Sequence, residues 1–124
     1  MNSFRKSMKA ALRGVRYAFR HERNFRVEVF IGMAVVLSMF ILHVSGWHVV
    51  ILAVMIAWVL AMELVNTATE RIVDILKPRI HPYARVIKDL MAEAVLLSTM
   101  GAATIGVIVL LPYIIEFIKV IIYG

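Results

Sequence analysis

From Val29 to Met62 the chain carries no Asp, Glu, Lys or Arg, a run of 34 residues broken only by the polar patch His43-Val44-Ser45-Gly46-Trp47-His48. Backbone placed in hydrocarbon must satisfy its own hydrogen bonds, so such a run folds as helix. Two helices joined by a tight turn at the patch fit it best. The flanking stretches, Val29 to Leu42 and Val49 to Met62, have 14 residues each, short of the ~20 that cross a bilayer. Each helix must therefore run on through acidic residues. A third stretch, Ala94 to Ile115, carries no formal charge and is long enough to cross unaided. With 62% of its 124 residues hydrophobic, against roughly 45–50% in soluble domains, an ordinary soluble domain is excluded, and so is intrinsic disorder over most of the length. One membrane domain is expected.

The first 26 residues follow another pattern. Phe4, Met8, Leu12, Val15 and Phe19 share one face of a helix, and Arg5, Lys9, Arg13, Arg16, Arg20 and Arg23 share the other. That is the signature of an amphipathic helix lying in a membrane surface. It is too long and too evenly charged for a cleaved signal peptide. The cations also set the orientation: eight lie at or before Arg26, five more at Arg71, Lys77, Arg79, Arg85 and Lys88, and only Lys119 elsewhere. By the positive-inside rule the N terminus and the 77–85 loop are cytoplasmic, and the 43–48 turn and C terminus external. The expected organisation is all-α: a surface helix over 1–24, a first span over 26–46, a second over 48–76 with a cytoplasmic extension, and a third over 85–120. Pro78 and Pro82 mark the loop between the last two. The net charge of +6 points to an anionic membrane surface and not to nucleic acid. With no cysteine, disulfides and thiol chemistry are excluded.

In this topology seven of the eight acidic residues, Glu22, Glu28, Glu63, Glu70, Asp74, Asp89 and Glu93, collect at or just beneath the cytoplasmic interface. Glu63, Glu70 and Asp74, spaced 7 and 4, share one helix face with Asn66 about 60° to the side. Ionisable groups facing hydrocarbon cost several kcal/mol, so this stripe faces protein or a wet site. Glu70 and Asp74 could pair with Arg71, Lys77 or Lys88 as interfacial ions. Glu63 lies ~10 Å deeper than Glu70, with no cation near it in sequence. Carboxylates of this kind suit Mg²⁺, which takes one or two of them together with phosphate oxygens. A lysine such as Lys88 can neutralise phosphate, and a carboxylate can orient an alcohol or take its proton. A lipid alcohol is anchored in the membrane, which places Glu63 for the lipid hydroxyl and Glu70 for Mg²⁺ and nucleotide phosphates. No Walker A sequence or glycine-rich cradle is present.

The strings Glu22-Arg23-Asn24-Phe25-Arg26, Glu63-Leu64-Val65-Asn66-Thr67-Ala68 with Glu70 and Val73-Asp74, His81-Pro82 and Lys88-Asp89 resemble the small prokaryotic integral-membrane diacylglycerol kinase and undecaprenol kinase family. The resemblance implies a homotrimer of three-span subunits in the inner (plasma) membrane of a prokaryote, with sites between subunits. It implies an ATP- and Mg²⁺-dependent lipid kinase in which Glu63 matches the general base and Glu22 and Glu70 the Mg²⁺ ligands. Asn66, Asp74, Lys88 and Asp89 match the residues around ATP. Asn24, Phe25, Arg26 and Glu28 match a region associated with lipid and active-site support. The motifs look more like the branch that prefers undecaprenol, with diacylglycerol as the alternative. Met91 and Glu93 depart from the small residues usual after the Lys-Asp pair, and Glu93 could draw Lys88 away from phosphate. A reading from another class, a small oligomeric cation-coupled transporter carrying its ion on Glu63, needs polar groups reaching both sides. The outer halves of the spans are almost bare of them.

Overall fold

The computed structural model describes residues 2–124, and its regular structure is helical alone: α1 (Asn2–His21), α2 (Arg23–Ile41) and α3 (Trp47–Tyr123). α1 forms on the amphipathic pattern, and its apolar stripe is largely bare, Phe4 being 68% exposed. Only Ala18 is buried, where a small side chain lets the helix approach its neighbours.

The first break falls at Glu22, whose backbone is extended (φ −114°, ψ 110°). The surface helix thus stops three residues short of the expected 24, and α2 starts at Arg23 instead of 26. The junction is a bend, because Glu22 N–H still donates to Ala18 O at 2.8 Å and Arg26 N–H to Glu22 O at 3.2 Å. Arg26 Nη1 donates to the carbonyls of Phe19 (2.9 Å) and Arg20 (3.1 Å). These are acceptors that the end of α1 leaves without helical partners, and a cation there also suits the helix dipole.

α2 ends at Ile41, five residues before the expected boundary, because the chain turns left-handed at His43 (φ 55°). Val44 N–H donates to Met39 O at 3.0 Å and His43 N–H to Phe40 O at 3.4 Å, the paired bonds of a Schellman cap. Gly46 (φ 63°, ψ −138°) then reaches a conformation that side chains rarely adopt and launches α3.

Between the second and third apolar stretches the structure differs from expectation. Pro78 and Pro82 do not open a loop over 77–85; the backbone stays helical apart from Ile80 (φ −114°, ψ 20°). Two prolines four apart remove two helical N–H donors, and the bend concentrates where those bonds are missing. α3 nevertheless doubles back. A straight helix would hold residues 48 and 113 roughly 100 Å apart, yet the Tyr113 hydroxyl and His48 Nδ1 are hydrogen-bonded at 2.6 Å. Trp58 Nε1 donates to Ser98 Oγ at 3.1 Å and Lys88 Nζ to Asp74 Oδ1 at 2.6 Å. Residues 47–79 and 81–123 are therefore antiparallel arms of one helical hairpin.

α2 and α3 are long and apolar enough to cross a bilayer, and little of their apolar surface is covered by the chain itself. Ile31, Leu37, Leu97, Ile108 and Ile121 are all exposed. A soluble protein would bury such side chains; here the fold leaves them for lipid or for other copies.

Candidate functional site

The buried interior is small, and its largest fully buried side chain is a carboxylic acid. Glu63 is 1% exposed, and its Oε2 has no hydrogen-bond partner. One turn further along the same arm, Thr67 is 6% exposed with Oγ1 also unpartnered; across on α2, Glu28 Oε2 is the third such atom. Glu63 feels the charges of Glu22 and Glu70, and Glu28 feels that of Glu63, so four carboxylates gather where α1, α2 and the first arm meet. Asn66 adjoins Glu63 and donates a long bond of 3.5 Å from Nδ2 to Glu70 Oε1.

Arg71 is the cation at this cluster. Its Nη2 lies 2.9 Å from Glu22 Oε1, its Nε donates to the Tyr17 hydroxyl at 2.9 Å, and its guanidinium stands 5.8 Å from the centre of the Tyr17 ring. Arg71 thus pairs with Glu22 of the α1–α2 bend and not with the adjacent Glu70 or with Asp74. Tyr17 is a contributor that sequence reasoning missed, since nothing in a 54-residue separation announces the contact.

Lys88 and Asp74 are joined nearer the bend of α3. The Lys88 ammonium donating to Asp74 holds that carboxyl, in the cytoplasmic extension of the second stretch, below its ordinary range. An ammonium has three donors, so two of them remain for another ligand. Asp89 and Glu93 are exposed. Among the described residues Glu93 makes no ion pair with Lys88, whose partner is Asp74.

The remaining candidates divide. Phe25 is buried at 3% exposure and Asn24 is exposed. Arg26 spends its Nη1 on the end of α1. Glu28 lines a groove of about 440 Å³ between α2 and the two arms, and the other lining residues, apart from the Thr99 hydroxyl, are apolar or small. Among the described residues no three carboxylate or imidazole groups come close enough to hold a metal ion by themselves. Thr67 was not singled out from sequence: it stands four residues after Glu63, but no sequence pattern says that its hydroxyl goes unpaired.

The chain is 40% identical over 107 residues to a diacylglycerol kinase of Synechocystis, covering 86% of this chain and 61% of that relative's length. It is 34% identical over 112 residues to an undecaprenol kinase of Bacillus subtilis, covering 90% of this chain and 91% of the relative. A diacylglycerol kinase of Haemophilus influenzae is 28% identical over 92 residues, 74% of this chain and 78% of its own. All three names are those of lipid kinases. The family profile described as prokaryotic diacylglycerol kinase matches residues 9–110, a range that holds every carboxylate of the cluster, and the chain belongs to that family.

Proposed function

We propose that the chain is an ATP- and Mg²⁺-dependent lipid kinase that phosphorylates a membrane lipid alcohol at the cytoplasmic interface, with undecaprenol the favoured acceptor. The observation that carries this reading is Glu63: a buried acid with an unpartnered oxygen, near enough to Glu28 to act on its charge, while Glu28 lines a groove whose walls suit an alkyl chain. The lipid hydroxyl approaches Glu63, which takes its proton as the oxygen bonds to the γ-phosphorus of ATP. The bond from that phosphorus to the bridging oxygen breaks, and ADP leaves. Productive transfer of this kind is mainly positioning and charge stabilisation.

Glu22 and Glu70 would hold Mg²⁺. The donor set fits, since Mg²⁺ usually takes one or two protein carboxylates and completes its shell with phosphate oxygens and water. When bound, the ion neutralises triphosphate charge. Lys88 supplies further positive charge with its two free donors, and Asn66, Asp74 and Asp89 stand around the nucleotide. Glu28 closes the polar end of the lipid groove. Asn24 and Phe25 support the α1–α2 bend, and Arg26 fixes it.

In this reading α2 and the two arms of α3 are three membrane spans, α1 lies on the anionic cytoplasmic surface, and the C terminus is external. The single chain buries Glu63 but leaves Glu22, Glu28 and Glu70 only partly covered, which favours assembly as a homotrimer with sites shared between copies. Undecaprenol is favoured over diacylglycerol on the strings Glu22-Arg23-Asn24-Phe25, Glu63-Leu64-Val65-Asn66-Thr67-Ala68 and His81-Pro82, and relatives named for each of the two lipids match the chain. Purified protein in detergent, given labelled ATP and Mg²⁺ with each lipid in turn, tests the proposal. Transfer to neither lipid by folded protein would refute it, and the ratio of the two rates decides the acceptor.

A further inference from the structure

The acidic cluster poses a charge problem for the nucleotide assigned to it. A triphosphate stays anionic even with one Mg²⁺ bound, and Glu22, Glu28, Glu63 and Glu70 gather where it would dock. Like charges at close range oppose binding, so the cations at the cluster matter. Lys88 sits nearer the bend of α3, held by Asp74 at 2.6 Å. Among the described residues, Arg71 is the cation in contact with a carboxylate of the cluster: its Nη2 lies 2.9 Å from Glu22 Oε1, and it also feels the charge of Glu70.

Stability alone is a weak explanation of this contact. The Arg71 side chain is 43% exposed, and exposed ion pairs contribute little. The guanidinium is nevertheless held in one pose, because Nε donates to the Tyr17 hydroxyl at 2.9 Å and the group stands 5.8 Å from the centre of the Tyr17 ring. A guanidinium has five N–H donors. Tyr17 and Glu22 take two of them, and among the described residues the other three have no partner. A half-exposed fork with three open donors suits phosphate, which arginine binds through paired N–H bonds. Its position suits phosphate as well. Arg71 follows Glu70 in the chain and is bonded to Glu22, the two carboxylates assigned to Mg²⁺. The ion keeps its ligands at ~2.1 Å, so a phosphate oxygen on Mg²⁺ held by Glu22 is two short bonds from a carboxylate that the guanidinium already contacts.

We propose that Arg71 binds the nucleotide, its open N–H donors taking oxygens of the phosphates that share Mg²⁺ with Glu22 and Glu70. This rests on the lipid-kinase reading and adds a phosphate ligand to it. Glu22 and Tyr17 hold the fork before the nucleotide arrives, so little side-chain freedom is lost on binding.

The test compares Arg71→Met, which removes the charge, with Arg71→Lys, which keeps the charge and loses the fork. Each is titrated by calorimetry with a non-hydrolysable ATP analogue at saturating Mg²⁺ and without lipid, beside thermal unfolding in the same detergent without nucleotide. Kd for the analogue should rise by about tenfold to a hundredfold in Arg71→Met, as the loss of charge-assisted hydrogen bonds requires, and Arg71→Lys should fall between it and the wild type. KM for the lipid and the nucleotide-free Tm should stay close to the wild type in both. A wild-type Kd in Arg71→Met would overturn the phosphate role and leave the kinase reading standing, with Arg71 serving only to position Glu22. So would a raised Kd matched by an equal rise in the lipid KM and a lowered Tm in both variants, which would make the residue structural. No phosphate transfer by the folded wild type would remove the kinase reading itself, and this role with it.

Discussion

Replacing Glu63 by Gln should move activity and stability in opposite directions. The substitution keeps the size and shape of the side chain and removes its ability to take a proton. General-base catalysis is worth roughly 10²–10⁴-fold in rate, which is about 3–5 kcal/mol of transition-state stabilisation. The fold should respond the other way. Glu63 is 1% exposed with Oε2 unpartnered, and its charged neighbours Glu22 and Glu70 repel it. An unsatisfied buried acceptor costs about 1–3 kcal/mol, and Gln removes the negative charge that sits among Glu22, Glu28 and Glu70. The variant should therefore gain about 1–3 kcal/mol of stability while losing at least a hundredfold in transfer rate. The assay pairs initial rates of transfer to undecaprenol with unfolding in mixed micelles followed by tryptophan fluorescence. Full activity in Glu63→Gln would refute its role as base. Activity and stability lost together would show that the carboxylate supports the fold, and would refute the idea that it is held there at a cost.

Three further outcomes are expected. Arg71→Gln should free Glu22 and the end of α1, giving faster proteolysis at the α1–α2 bend and about a tenfold rise in the Mg²⁺ concentration for half-maximal rate; Tyr17→Phe should show the same effects more weakly, and unchanged proteolysis in both would refute the tether. His43→Gly should raise stability by about 1 kcal/mol, because His43 holds φ 55° at the Schellman position that glycine occupies without strain; equal or lower stability in micelle unfolding would refute it. The Lys88–Asp74 pair should support the fold at neutral pH. Its carboxyl is held low in the folded chain, so its support is fully present above the unfolded value, roughly pH 4, and is lost as the pH falls through the lower folded value. Melting temperatures of wild type and Asp74→Asn should differ at pH 7 and converge in strong acid.

Much of the architecture can be read from local patterns, because a membrane helix is defined by length and apolarity along the chain. The charge-free run, the polar patch at its centre and the amphipathic lead each correspond to an element within a few residues. The boundaries moved where a single backbone angle decides: Glu22 ends α1 early, and His43 ends α2 early. The expected loop over 77–85 failed for a different reason. Two prolines forbid an undisturbed helix, but they do not require a loop when the defect can be gathered at Ile80.

The amino-acid sequence by itself determined that acidic side chains gather at one end of apolar helices, since placement along a helix and depth in a bilayer follow from residue number. It also marked Glu63 as the anomalous member, deep and without a nearby cation. Which groups touch was decided only by the tertiary structure. Arg71 reaches Glu22 and Tyr17 across three helices, Lys88 takes Asp74 instead of Glu93, and Arg26 closes the end of α1. Above all, the sequence cannot show that a hydroxyl is left without a partner. Thr67 is written like any helical threonine, and only the packing around it decides that its usual bond is not made.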